Sequence, residues 1–77
     1  MKIKEIEHKD EYSFILKFEN DEIIPANLRN LISNYVDLKD LVTAHINKEW
    51  GCLEFKNGKV DIEPKTLYNF AKNRINN

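Results

Sequence analysis

The chain contains few of the residues that cross-link or interrupt small proteins. Its 77 residues include one cysteine, two glycines and two prolines. A lone Cys52 excludes an intrachain disulfide, and no apolar run approaches the length that spans a membrane. The amino terminus also carries charges where a secretory signal needs an apolar segment. These absences predict a cytoplasmic protein with no membrane segment, folded as a single small domain over residues 1–77 around one core.

Patterns that indicate catalysis or metal binding are lacking as well. The two histidines and Cys52 do not have the spacing of a zinc site, and His45 and Cys52 have no third group to orient them for nucleophilic catalysis. Asp61 and Glu63 lie on one face of a predicted strand, but no other residue completes an acid/base site with them. No glycine-rich phosphate loop is present. We therefore expect a non-enzymatic protein that needs no cofactor, no metal and no small-molecule substrate.

The first third of the chain predicts an antiparallel hairpin of residues 2–8 and 12–19. In the second segment, apolar residues alternate with more polar ones, which is typical of a half-buried strand: Tyr12, Phe14, Leu16 and Phe18. A third strand begins at Ile23. Pro25 has no amide proton to donate, so this strand is expected to end there or to lie at a sheet edge.

The middle of the chain predicts a short helix followed by two strands. Asn27 is a suitable helix cap, and four apolar residues then follow at helical spacing: Leu28, Leu31, Ile32 and Tyr35. Asp37 is positioned to cap one further helical turn. Alternation returns over residues 44–48 and 52–55, which predicts two more strands separated by a turn at Trp50-Gly51.

A second hairpin is expected to lead into the C-terminal helix. Asn57-Gly58 tolerates the positive φ that both centres of a type I′ turn require. Pro64 fits the first position of a helix, with Glu63 before it as a capping residue. Four residues then repeat at helical spacing, and the first two are predicted to be buried: Leu67, Phe70, Ala71 and Arg74.

These elements predict an α+β fold. It comprises a small antiparallel sheet of about five strands, a short middle helix and a C-terminal helix. An internal similarity between residues 16–23 and 53–60, each followed by a proline, suggests two similar strand-strand-helix units.

Several segments together resemble a small bacterial family called domain of unknown function 2442. The similarity covers nearly the whole chain, and its most specific part is the ending: Asn57-Gly58, Asp61-Ile62 and Pro64-Lys65-Thr66-Leu67-Tyr68. The resemblance implies a compact α+β domain, sometimes fused to a helix-turn-helix and often encoded beside another small protein. That context is suggestive of toxin–antitoxin pairs. The resemblance implies no catalytic residue.

Charge is unevenly distributed along the chain, although the net charge is only −1. Residues 1–55 carry 7 basic and 11 acidic side chains, whereas residues 56–77 carry 5 basic and 2 acidic ones, so the two parts have net charges of −4 and +3. This asymmetry favours a charged partner or a head-to-tail self-contact. Two solvated faces of opposite sign explain it as well.

Three residues are candidates for contacts with a partner. Trp50 lies beside Gly51 in a predicted turn, where it is either an exposed binding residue or a cover over a thin core. Lys72 and Arg74 form a basic group on the C-terminal helix, which a solvated helix face also explains. We expect a protein-binding module, with an antitoxin-like role in a small bacterial pair. The alternative is an accessory transcription regulator that contacts DNA through Lys72 and Arg74.

The first prediction concerns Gly58. A β-branched residue is strained at positive φ, so Gly58→Val should destabilise the protein by more than about 1 kcal/mol. Thermal melts of the two proteins test this. A melting temperature within about one degree of the parent would contradict the predicted turn.

Overall fold

The computed structural model describes residues 1–73, which form two small antiparallel sheets and three helical segments. The first sheet contains β1 (Ile3–Asp10), β2 (Ser13–Phe18) and β3 (Ile23–Asn27) in that order. The second contains β4 (His45–Asn47), β5 (Cys52–Phe55) and β6 (Val60–Ile62), also in chain order. A short helix α1 (Arg29–Ile32) and a 3₁₀ helix (Leu38–Thr43) connect the sheets, and α2 (Pro64–Asn73) follows β6.

The α+β class is confirmed, but the expected single sheet of about five strands is wrong. The described residues form six strands in two sheets. One backbone bond, from the Ile3 amide to the Gly51 carbonyl at 3.0 Å, joins β1 to the turn before β5. The pairing of β1 with β2 is irregular between Ile3 and Glu5, and such a bulge bends a strand. The two sheets therefore meet at the start of β1 and do not merge into one ladder.

The predicted strands are otherwise found close to their expected positions. β1 and β2 form the first hairpin, and β3 is an edge strand of its sheet that continues past Pro25 to Asn27. The alternating residues of β2 and β5 face one core, whose buried members are Ile3, Tyr12, Phe14, Leu16, Phe18, Ile24, Ala26, Leu28, Ile32, Val36, Leu41, Leu53, Phe55, Ile62, Leu67 and Ala71.

The connection between the sheets is less helical than its spacing predicts. α1 has four residues and ends at Ile32, so Tyr35 leaves the apolar stripe and is 65% exposed. The side chain of Asn27 accepts a hydrogen bond from the Arg29 amide at 2.9 Å. After the helix, the buried hydroxyl of Tyr12 donates to the Val36 carbonyl at 2.6 Å. This bond fixes the loop to the core where the helix has ended.

The connection between β5 and β6 contains the predicted turn and a second turn that begins one residue earlier. Phe55 pairs with Val60, which leaves a loop of four residues. The Lys59 amide donates to the Lys56 carbonyl at 3.2 Å, which places the predicted pair Asn57-Gly58 at the centres of one turn. The Gly58 amide also donates to the Phe55 carbonyl at 3.2 Å, which adds an overlapping turn centred on residues 56 and 57. Gly58 itself has a φ of +84°, which confirms the predicted positive φ.

The C-terminal helix begins at Pro64 as predicted, and the Leu67 amide donates its first helical bond to the Glu63 carbonyl at 3.0 Å. Leu67 is fully buried, whereas Phe70 is only partly buried against the core. Arg74, which was expected to continue this face, lies outside the described residues. The two predicted strand-strand-helix units correspond to β2-β3-α1 and β5-β6-α2, and each is preceded by one further strand.

Gly51 allows the two halves to approach closely. Its φ is +72°, and an added Cβ would overlap the Lys2 side chain and lie 2.9 Å from the Lys2 Cα. A side chain at this position therefore forces the backbone of β1 away from the second sheet. Gly58 also has positive φ, but an added Cβ there meets only the Glu54 carboxylate at 3.6 Å.

The second prediction compares these two glycines. Both Gly51→Ala and Gly58→Ala introduce a side chain at positive φ, which costs about 1–2 kcal/mol. Gly51→Ala should be the more destabilising because it also separates the two sheets. Urea unfolding of both variants measures the difference. Equal losses in the free energy of unfolding would show that the close approach of Gly51 to Lys2 contributes nothing to stability.

Candidate functional site

Trp50 projects from a turn that is held by several hydrogen bonds. Trp50 is 66% exposed, so it does not cover the core. The Asn47 side-chain oxygen accepts from the amides of Glu49 and Trp50 at 3.0 and 3.1 Å. Lys2 Nζ also donates to the Glu49 carbonyl at 2.8 Å. With Gly51 bonded to Ile3, this turn presents a large aromatic side chain from a fixed backbone.

Lys72 does not extend freely from α2. Its Nζ lies 2.9 Å from one carboxylate oxygen of Glu22, and the Tyr68 hydroxyl donates to the other oxygen at 2.5 Å. The Tyr68 ring also packs edge-on against Phe18, with centroids 5.0 Å apart. These contacts attach the C-terminal helix to the turn between β2 and β3. The positive charge of Lys72 is therefore balanced by Glu22.

The pKa values of this group follow from its hydrogen bonds. The bond from Tyr68, together with those from Lys72 and Asn20, lowers the pKa of Glu22 from 4.5 to about 2. The same contact raises the pKa of the Tyr68 phenol, because its hydroxyl donates to a carboxylate. Bonding to Glu22 likewise raises the pKa of Lys72. All three groups thus keep their usual charges at neutral pH.

Two of the three predicted contact residues, Trp50 and Lys72, lie on different elements of the fold. Trp50 lies in the turn between β4 and β5, whereas Lys72 lies near the end of α2 beside Glu22. Arg74 lies outside the described residues. Lys65, another basic residue of α2, is exposed and has no partner among residues 1–73.

A polar row crosses the outer face of the second sheet, where His45 pairs with Glu54 and Glu54 pairs with Asp61. His45 Nδ1 lies 3.0 Å from the Thr43 carbonyl and Nε2 lies 2.9 Å from Glu54 Oε1. Both partners only accept hydrogen bonds, so both ring nitrogens donate when the contacts are made. The Thr43 carbonyl, followed by Glu54, raises the pKa of His45 accordingly.

Cys52 lies on the same face but is not activated. Partial burial raises the pKa of its thiol, and the nearby carboxylates of Asp61, Glu54 and Glu63 raise it further. A reactive cysteine requires the opposite shift. Both His45 nitrogens are also engaged by other groups. Within residues 1–73, no group of three or more histidine, cysteine or acidic side chains is arranged to hold a metal ion.

A cleft of about 420 Å³ separates α1 from β6 and the start of α2. Its apolar part is formed by Leu31, Ile32, Val60 and Ile62, and the exposed ring of Tyr35 lines it. Lys59, Asp61 and Glu63 also line the cleft. Sequence reasoning missed this cleft because the spacing placed Tyr35 in the core. The departure of Tyr35 from the buried stripe is a tertiary effect that local spacing does not report.

A comparison with protein families gives a match over residues 3–73 to the family described as Protein of unknown function (DUF2442). The chain belongs to this family. The match includes all six strands and α2, and with them the Trp50 turn and the cleft beside β6. No curated protein matches the DUF2442 chain. No solved structure matches it either. Among the helices of residues 1–73, none combines the length and hydrophobicity needed to cross a membrane.

The third prediction concerns Glu22. Its pKa in the fold, about 2, lies below the ordinary 4.5, so its contacts stabilise the fold above pH 4.5 and are lost as the pH falls towards 2. Glu22→Gln should therefore lower the free energy of unfolding at neutral pH, and this deficit should shrink over that acid range. Urea unfolding at several pH values measures both effects.

Glu19→Gln is the matched control, because Glu19 is exposed and its carboxylate has no partner among the described residues. It should show a smaller pH-dependent difference from the parent. Equal behaviour of the two variants would contradict the role of Glu22 in fastening α2.

Proposed function

We propose that this member of the DUF2442 family is a non-enzymatic protein-binding module with Trp50 at its binding surface. The observation that supports the proposal is an indole that is 66% exposed on a turn held by hydrogen bonds. Tryptophan is enriched among the residues that dominate binding energy at interfaces. A turn that is already ordered loses less conformational entropy on binding than a flexible loop.

The role proposed for the module is that of the antitoxin-like member of a small bacterial two-gene pair. Such a role requires a surface that complements another small protein. Residues 1–55 contain the Trp50 turn and have a net charge of −4, so a basic partner is electrostatically favoured. Partner association also buries an aromatic side chain that the isolated chain leaves in water.

The alternative role, transcription regulation through DNA contacts of α2, receives less support. Binding to DNA phosphates needs lysine or arginine side chains that displace the counterions condensed on the nucleic acid. Lys72 is instead paired with Glu22 at 2.9 Å, so DNA contact requires this ion pair to be broken or shared. Lys65 is an exposed cation on the same helix, but one charge supplies little affinity.

The fourth prediction tests the Trp50 surface with the purified product of the neighbouring gene as the probe. Trp50→Ala should weaken binding by about 30-fold, equivalent to about 2 kcal/mol at a strong interface residue. Its effect on unfolding should be small because the indole is mostly in water. Titration calorimetry and urea unfolding measure the two quantities separately.

Val42→Ala is the matched control, because Val42 is an 80% exposed apolar residue on the 3₁₀ helix, away from the Trp50 turn in sequence. It should leave the affinity unchanged. Mobility shifts on the protein's own promoter test the alternative with Lys72→Ala. A salt-dependent shift that Lys72→Ala weakens, without protein binding that depends on Trp50, would establish the DNA role instead.

A further inference from the structure

β6 is an edge strand that borders the cleft described above. In the order β4-β5-β6 it has a hydrogen-bonded neighbour on one side only. Among the described elements, only β5 packs extensively on β6. By contrast, the edge strand β3 packs against α2, and β1 lies against β4. In any antiparallel edge strand, alternate residues direct their amide and carbonyl groups away from the sheet. β6 therefore offers backbone hydrogen-bonding groups beside an apolar cleft.

The side chains around this edge have a definite order. Val60 and Ile62 face the core side of the sheet, together with Leu53 and Phe55 with which they pair. Asp61 faces the opposite side, in register with Glu54. A strand added to β6 continues this alternation, because directly opposed residues share a face. Residues opposite Val60 and Ile62 would enter the cleft, and the residue between them would lie beside Asp61.

The charges indicate which strand would fit. Asp61 pairs with Glu54, and two carboxylates directly opposite one another are destabilising in a sheet. These carboxylates lie close together with Glu63, since all three raise the pKa of the Cys52 thiol. His45 contacts Glu54. Asp61 is therefore the carboxylate of this pair beside which a cation from a partner would fit. Lys59 also lines the cleft, but it forms no ion pair with Asp61 in the described part of the chain.

We propose that the cleft between α1 and β6 binds an extended peptide segment of another protein, added as a fourth strand of the second sheet. The segment carries apolar side chains at alternate positions and lysine or arginine between them. The apolar side chains enter the cleft against Tyr35, and the basic ones lie beside Asp61 and Glu63. This surface is distinct from the Trp50 turn, so it does not depend on the function proposed above.

The test uses a seven-residue peptide of alternating valine and lysine, capped at both ends, as the probe. Nitrogen-15 chemical shifts of the full chain should change at residues 59–63 and at Tyr35. A peptide with glutamate in place of lysine should bind at least tenfold more weakly. N-methylation of alternate amides on the edge that pairs with β6 should also weaken binding at least tenfold, because it removes the backbone donors.

Variants of the chain distinguish this site from other causes of binding. Asp61→Lys and Tyr35→Ala should each weaken the lysine peptide at least tenfold, whereas Glu19→Lys, with the same charge change elsewhere, should change affinity less than twofold. Trp50→Ala should bind the peptide normally, which separates this site from the Trp50 surface. Urea unfolding of every variant confirms that it is folded.

Three results would overturn the proposal. The first is equal binding of the lysine, glutamate and N-methylated peptides. The second is the absence of shift changes at residues 59–63 at millimolar lysine peptide, which would show that the charges on β6 only protect a free edge from aggregation. The third is concentration-dependent shifts at residues 59–63 without peptide, which would identify a second copy of the chain as the occupant.

Discussion

The close contact between Gly51 and the beginning of β1 determines how the two halves of the molecule are arranged. Each half forms its strands from adjacent segments, so the hairpins specify two sheets but not their relation. The Ile3–Gly51 bond supplies that relation, and positive φ at Gly51 allows the turn to approach Lys2. The same turn carries Trp50. The packing of the fold and the exposure of its most prominent aromatic side chain therefore depend on one backbone geometry.

The C-terminal helix is fixed by two different kinds of interaction. The first is the burial of Leu67 and Ala71 in the shared core. Any amphipathic helix with this spacing of apolar residues can bury them in the same way. Glu22, Tyr68 and Lys72 then define its position over the first sheet through directional bonds. In the sequence, Lys72 looks available for binding nucleic acid. In the fold it is paired with Glu22, so it already serves to connect the two halves.

Local patterns in the sequence predicted most of the secondary structure. Alternation identified β2 and β5, and Pro64 marked the start of α2, since these signals arise within a few residues. Tertiary effects accounted for the errors. Tyr35 has helical spacing but lies beyond a helix that ends at Ile32, and the arrangement of the two sheets depends on a contact between distant residues. For the candidate site, exposure of Trp50 was foreseen as one of two alternatives, whereas the pairing of Lys72 and the cleft at β6 required the fold.

The sequential order of the strands also bears on how the chain reaches its native state. Every pair of bonded strands is adjacent in sequence, so both meanders arise from short loops whose closure has a small entropic cost. Such local topology is typical of rapid folding. A sheet of three short strands gains stability only when its apolar face is covered. We therefore expect the late step in folding to be the docking of two preformed meanders, with the association of Ile3 and Gly51 completing a single cooperative unit.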